Sequence, residues 1–282
     1  MIDAVLEALQ FVFMRNALLT GLLVSVACGV IGTFVVVKRI VFVSGGIAHA
    51  AYGGIGLGYF LGLDPVLGAV VFSLAAGLGM GAVQRRTGER ADTLIGVMWA
   101  IGMATGIILV DLSPGYKADL LSYLFGSILA VPTSDLMVMV VLDVLIVGSV
   151  LIFYKELLAI SFDEVFATVE NVPVGAMYLV LMGLVALTVV MLMRVVGLIL
   201  VIAMLTIPAA IAGRLVKDMK HMMILASGFG MFFMTAGLWL SYFLNLTSGA
   251  TIILLAGLGY LVSLSLQWLG TRSRRLNTPA KG

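Results

Sequence analysis

Two side chains could do chemistry inside an otherwise apolar chain. His49 stands in VFVSGGIAHAAYGG, Val41 to Gly54, where no other residue titrates near neutral pH. Neutral imidazole is the commonest biological ligand for divalent transition metals. On a helix its same-face neighbours are Gly45, Gly53 and Gly56, so the surface around the ring is nearly bare, as in the lining of a narrow passage. The competing reading is a histidine hydrogen-bonded to an adjacent helix as packing glue. The second side chain is Asp143 in VVLDVLIVGS, about eight residues beyond Asp135 and so roughly 12 Å along a helix. A carboxylate at that depth protonates, pairs or meets a cation, and His49 is the intramembrane partner the sequence offers. Between them these residues form the candidate metal site, His49 and Asp143, with Gly45 and Gly53 as lining positions. Thr206 and Pro208 in LTIPAAIAGR join that lining. Proline removes one backbone donor and frees a carbonyl one turn back, a disruption membranes tolerate where a helix lines a cavity or flexes.

The elements that must position these groups are membrane helices. The chain has 282 residues, 62% of them hydrophobic and 11% charged, with a mean hydropathy of +1.21. Soluble domains carry about 25% charged residues. Apolar blocks of about 20 residues alternate with short charged breaks, the length needed to cross roughly 30 Å of hydrocarbon. Runs such as LLTGLLVSVACGVIGTFVVV lack the alternation of an outer-membrane barrel strand. Spans fall near 17–37, 41–62, 66–83, 92–112, 135–154, 175–193, 196–213, 222–243 and 250–268. The expected fold is thus an all-α polytopic membrane protein of about nine transmembrane helices, or eight if the stretch Met177 to Arg214 is divided differently. If Lys38 and Arg39 are cytoplasmic, all 16 basic residues except Arg15, Lys117 and Arg194 fall on that side, which predicts the N-terminus outside and the C-terminus inside. Asp3 and Glu7 stand where a signal peptide would be basic, so no cleavage is expected. The single Cys28 can form no internal disulfide.

Two segments break the up-and-down pattern. LLSYLFGSILAV, Leu120 to Val131, is apolar but too short to cross, and reads as a re-entrant or interfacial helix on the outer side. SFDEVFATVENVPV, Ser161 to Val174, reads as a short cytoplasmic helix with Ser161 as its cap, Asp163 and Glu164 on its positive end and Pro173 as its stop. Phe162, Val165, Phe166 and Val169 recur at helical spacing and give it an apolar face suited to docking on another protein. Gly46, Ala50, Gly54 and Gly58 form a small-residue ridge for close helix approach. None of the six lysines is followed by Ser or Thr, so the chain has no Walker A loop and cannot itself be a P-loop ATPase.

Taken together, CGVIGTFVVVKRIVFVSGGIAHAAYGG, GERADTLIGVMWAIGMATGIIL, LSYLFGSILAV, SFDEVFATVENVPV, VVGLILVIAMLTIPAAIAGRLVKDMKHMMILA and LSYFLNLTSGATIILLAG, in that order over about 28 to 256, resemble the membrane permeases of ABC importers for zinc, manganese and iron. The resemblance implies one transmembrane permease domain over 1–270, a basic cytoplasmic tail over 271–282, and a homodimer enclosing a central pathway in the cell (plasma or inner) membrane. It implies two cytoplasmic ABC ATPase subunits and an extracytoplasmic metal-binding protein as partners, no nucleic acid, and no cofactor in this chain beyond the transported ion. It also implies that the segment from Phe162 to Val174 is the coupling helix, with Phe162, Asp163, Glu164, Phe166 and Ala167 meeting the ATPase. In the family a Gly-Asp-x-x-x-His pattern pairs a carboxylate with the imidazole; here those positions read Ser44, Gly45 and His49. A glycine after the coupling helix is replaced by Asn171, which adopts the same left-handed backbone readily. The alternatives are a permease for a metal chelate such as a siderophore or cobalamin, an ion-coupled secondary transporter with Asp143 as proton carrier, and an intramembrane hydrolase using Ser44 or Ser122. The hydrolase is disfavoured because Ser44 and His49 point apart on a helix and no serine elbow is present.

Overall fold

The computed structural model describes residues 2–87, 90–114 and 128–276. Among these the chain is helical: α1 (Ile2–Gln10), α2 (Val12–Val37), α3 (Val41–Leu61), α4 (Pro65–Thr87), α5 (Ala91–Leu112), α6 (Thr133–Ile152), α7 (Tyr154–Phe162), α8 (Glu164–Val169), α9 (Val174–Leu215), α10 (Met219–Leu244) and α11 (Ser248–Leu276), with one 3₁₀ turn at Ile128–Ala130. Of the expected outer helix Leu120 to Val131, residues 120–127 lie outside the described residues.

Among the described residues, eight helical stretches are long and apolar enough to cross a membrane. The segment read as a ninth span, near 196–213, is the second arm of α9. That arm, Leu200–Leu215, is shorter than the other spans and is separated from the first arm, Val174–Met193, by non-helical backbone at Gly197, with φ 75° and ψ 168°. A straight α9 of 42 residues would be about 63 Å long. Its two ends nevertheless lie at the same end of α2: Tyr178 sits under Lys38, the residue capping α2, while Val36 and Val37 pack against the cluster formed by Ala209 and Ala212 with Met222 and Ala226. The chain therefore doubles back at Gly197, a position whose positive φ suits glycine.

This hairpin is the centre of the molecule. α9 packs on α2, α3, α4, α10 and α11, so it joins a group made of α2, α6 and α10 to one made of α3, α4 and α5. α2, α3 and the first arm of α9 are mostly buried, whereas α5, α6 and α11 turn most of their surface outward. The outward faces carry residues such as Val97, Ile101, Val144 and Leu151. In water such faces would be an aggregation hazard; against lipid they are the ordinary surface.

Candidate metal passage and coupling segment

The seam between α3 and α5 holds His49. Small residues let the two backbones touch: a side chain at Gly102 would meet Ala50 Cα at 2.5 Å, and one at Gly56 or Gly106 would collide with the facing backbone. On α5 the residues Ile95, Trp99, Gly102 and Gly106 are spaced 4, 3 and 4 apart and form the stripe that faces α3. Gly46 meets Ile95, Ala50 meets Gly102, and between them His49 stacks on Trp99 with ring centroids 3.8 Å apart and planes within 9°. One ring face is thereby covered, and the buried Nδ1 has no hydrogen-bond partner among the described residues.

The other lining positions are packing contacts in this conformation. Beside Gly45 lies the Ile202 side chain, whose Cδ1 would be 3.0 Å from an added Cβ; Gly53 is closed in by Phe72 and the Gly102 carbonyl. Thr206 donates its hydroxyl to the Ile202 carbonyl within its own helix, which satisfies it locally beside Pro208. Asp143 is 7% exposed, with Oδ1 buried and unpartnered among the described residues. Its helix α6 packs on α2, whereas α3 packs on α4, α5 and α9, so α3 and α6 share no extended interface. Asp143 and His49 belong to different seams of one chain. No group of three or more His, Cys, Asp or Glu that could hold a metal occurs among the described residues.

The helix expected between Ser161 and Val174 is shorter than the sequence indicated, and its cap is different. Ser161 lies in the last turn of α7, where its hydroxyl donates to the Leu157 carbonyl at 2.6 Å. The cap is Asp163, whose Oδ1 accepts from the amides of Val165 at 2.8 Å and Phe166 at 3.0 Å. Its extended backbone and short acceptor suit that position better than a serine already bonded to the preceding turn. α8 then runs only to Val169, and Asn171 at φ 59° turns the chain before Pro173. Phe162, Val165, Phe166 and Val169 are all exposed, while Ala167 is fully buried against the bundle.

Glu164 fastens α8 to the bundle. Lys38 at the end of α2 gives its ammonium to Glu164 Oε1 at 2.7 Å and to the Ile160 carbonyl at 2.6 Å. Arg85 in the last turn of α4 reaches Glu164 Oε2 at 3.3 Å. Both cations lie over the Tyr178 ring, at 5.4 and 5.5 Å from its centroid, and the Tyr178 hydroxyl donates to Gln84 at 2.8 Å. Partial burial pushes the Glu164 carboxyl up, but the Lys38 hydrogen bond and charge, followed by Arg85, outweigh it and hold the group below the usual glutamate range.

Sequence reasoning missed Trp99 and the Lys38, Arg85 and Tyr178 cluster. The spacing of Ile95, Trp99, Gly102 and Gly106 was the available signal for the first. For the second no local signal exists, since its members are up to 140 positions apart (178 minus 38).

Residues 10–267 match the ABC 3 transport family. The chain is 60% identical over 95% of its length to an uncharacterized membrane protein of Synechocystis, slr2045, covering 95% of that protein. It is 37% identical to the manganese transport system membrane protein MntC of Listeria innocua, over 90% of this chain and 91% of that one. Among solved structures, PsaBC from Streptococcus pneumoniae in complex with Fab matches with a TM-score of 0.83 and 36% identity, covering 93% of this chain and 95% of that one. The inward-facing conformation of a metal-chelate type ABC transporter, at 17% identity and a TM-score of 0.74, shares the fold. With near-complete matches in family, sequence and structure, this membrane-spanning chain belongs to the ABC 3 transport family.

Proposed function

We propose that this chain is the membrane permease of an ATP-driven importer of a divalent transition metal ion, of the zinc, manganese or iron class. It is a transporter subunit, and ATP hydrolysis resides in separate cytoplasmic subunits. The observation that carries the reading is the capped α8, exposed at Val165, Phe166 and Val169 beside the exposed Phe162 that precedes it, and pinned by Glu164 to two membrane segments, α2 and α4. A helix so placed can transmit a push from a docked partner into the bundle, because its charged residue is tied inward while its apolar residues are free. In this reading the end of the bundle bearing Lys38, Arg85 and Glu164 faces the cytoplasm of a cell (plasma or inner) membrane, with the N-terminus outside and the C-terminus inside, as the distribution of Lys and Arg supports.

The ion passes by His49. One imidazole per chain makes a weak site, which suits a pathway that must release its ion. Two copies placed around one axis would bring two such imidazoles together, and Asp143 is the other ionisable group at depth. An extracytoplasmic metal-binding protein delivers the ion to the outer loops. The lack of any group of three or more His, Cys, Asp or Glu able to hold a metal among the described residues also supports, as a second reading, a chelate that arrives with its coordination filled.

The test is uptake into vesicles holding this chain with its ATPase. ATP-dependent uptake of free metal supports the first reading, uptake of chelate that free metal does not compete with supports the second, and uphill transport by this chain alone would overturn both.

A further inference from the structure

The three helices α9, α10 and α11 meet around a cavity of about 470 Å³. Its walls are apolar, formed by Phe229, Phe232 and Phe233 of α10 and Val262 and Leu266 of α11, and one cation enters it, Arg214 from the last turn of α9. The guanidinium lies 4.3 Å from the centroid of the Tyr260 ring. Tyr260 is nine residues before Leu269, the end of the apolar stretch of α11, or about 13 Å along the axis. The arginine is thus drawn back below the membrane boundary, where a bare cation is costly. The Tyr260 ring offsets part of that cost. It leaves Nη1 of Arg214 buried with no hydrogen-bond partner among the described residues.

No counter-ion can come from the helices that wall the cavity. From Val174 to Leu215, and again from Met219 to Gly282, the sequence contains no Asp or Glu. The nearest acidic residue in sequence, Asp218 in the link between α9 and α10, is turned to the His221 amide and ring at 3.1 and 2.7 Å, so an anion for Arg214 comes from outside these helices. Phe232, Val262 and Leu266 are each more than half exposed on the outward surface of the bundle, so the cavity opens toward lipid. The α11 helix itself continues to Arg272, Arg274 and Arg275, a basic run beyond the apolar stretch of the kind that attracts anionic headgroups.

We propose that this cavity is a binding site for one anionic phospholipid, with its phosphate paired to Arg214 and an acyl chain along Phe232, Val262 and Leu266. A soluble anion has no use for the apolar walls, and a zwitterionic lipid brings its phosphate together with a head-group cation that is repelled by Arg214. Guanidinium and phosphate make charge-assisted, often bidentate pairs, and the chain supplies the second, apolar part of the recognition.

The test uses the full chain, purified and placed in nanodiscs of phosphatidylcholine with a minor fraction of phosphatidylglycerol, then released for native mass spectrometry. The wild type is expected to retain phosphatidylglycerol, and Arg214→Gln to retain it roughly tenfold less well, the loss of one charged hydrogen-bonded pair. Leu266→Trp, which fills the groove at its lipid-facing rim and leaves the arginine in place, keeps the proposal testable should Arg214→Gln fold poorly; it is expected to lower retention as well. Equal retention by the wild type and Leu266→Trp would overturn the proposal. So would displacement of the lipid by inorganic phosphate, which would mean an anion site without lipid character, or preferential capture of oleate, which would mean a fatty-acid site. A change in the dimer fraction in place of lipid retention would mean that a second copy covers the cavity, and would overturn it too.

Discussion

Lys38 and Glu164, separated by 126 positions in the chain, meet at 2.7 Å. This ion pair ties the end of the first span to the first turn of α8, and Lys38 is 11% exposed in its side chain while Glu164 is 43% exposed.

Breaking that pair should uncouple before it unfolds. With Glu164 this open to solvent, screening keeps the contribution to stability to about 1 kcal/mol or less. Glu164→Gln is therefore expected to shift the thermal midpoint little, yet to lower the metal moved per ATP hydrolysed in reconstituted vesicles. The pH dependence has a definite sign. The folded carboxyl is held below the usual glutamate range by Lys38 and Arg85 against the opposing effect of burial, so its stabilisation is fully present above the unfolded value and is lost as pH falls through the lowered one. The difference in thermal midpoint between the wild type and Glu164→Gln should stay constant from neutral pH down to the usual glutamate range and close below it; a difference that grows on acidification would refute the pairing.

Removing the cap should loosen α8 alone. Asp163→Ala deletes both acceptor bonds to Val165 and Phe166 and is expected to cost about 1 kcal/mol locally. Hydrogen exchange of residues 164–169 should accelerate while the membrane helices keep their protection. Asp163→Asn or Asp163→Ser should restore most of it, and Ser161→Ala should change little at this helix.

Close approach of α3 and α5 predicts a contrast between glycines. Gly102→Val would drive a side chain into Ala50, whose Cα already lies 2.5 Å from an added Cβ, and is expected to cost on the order of 1–3 kcal/mol or more. Gly96→Ala, on the same helix with nothing within 4 Å, should be neutral or stabilising by up to about 1 kcal/mol through helix propensity. Thermal unfolding in detergent separates them, and equal midpoints would dispose of the seam.

Stacking of His49 on Trp99 gives an optical handle on the passage. In a chain keeping Trp99 as its single tryptophan, with Trp239 and Trp268 changed to Phe, a transported metal at His49 should quench fluorescence, and His49→Ala should abolish both the quenching and most of the uptake. Trp99→Phe is expected to retain more transport than Trp99→Ala, since a smaller ring still covers the imidazole. Quenching that persists in His49→Ala would remove His49 from the pathway.

Much of this architecture is readable from apolar block lengths, because lipid demands long helices whose backbones satisfy themselves. The edges of α3, α4 and α5 follow that pattern, and the ridge of Gly46, Ala50, Gly54 and Gly58 indeed meets its neighbours closely. The second arm of α9 was harder, since a fold-back at Gly197 looks in sequence like any glycine within an apolar run. The placement of Asp143 against α2 could not be foreseen, because depth along a helix is set by sequence while its azimuth is set by which neighbour packs there. Nor could the choice of Asp163 over Ser161 as cap, a competition decided by the turn in which Ser161 already sits. The ion cluster on Tyr178 is assembled from four elements and leaves no trace in any one of them.

Between Lys38, held at α8, and Val41, where the helix bearing His49 begins, stand only Arg39 and Ile40. That corner is stiff: Arg39 has φ 59°, its amide bonds to Val36, and the Ile40 amide bonds back to Val35. A joint this short and this fully bonded has no slack in which to lose a displacement. If α8 takes the push proposed above, a movement of Glu164 drags the base of the His49 helix along like a tiller bolted to its rudder, without passing through a flexible linkage.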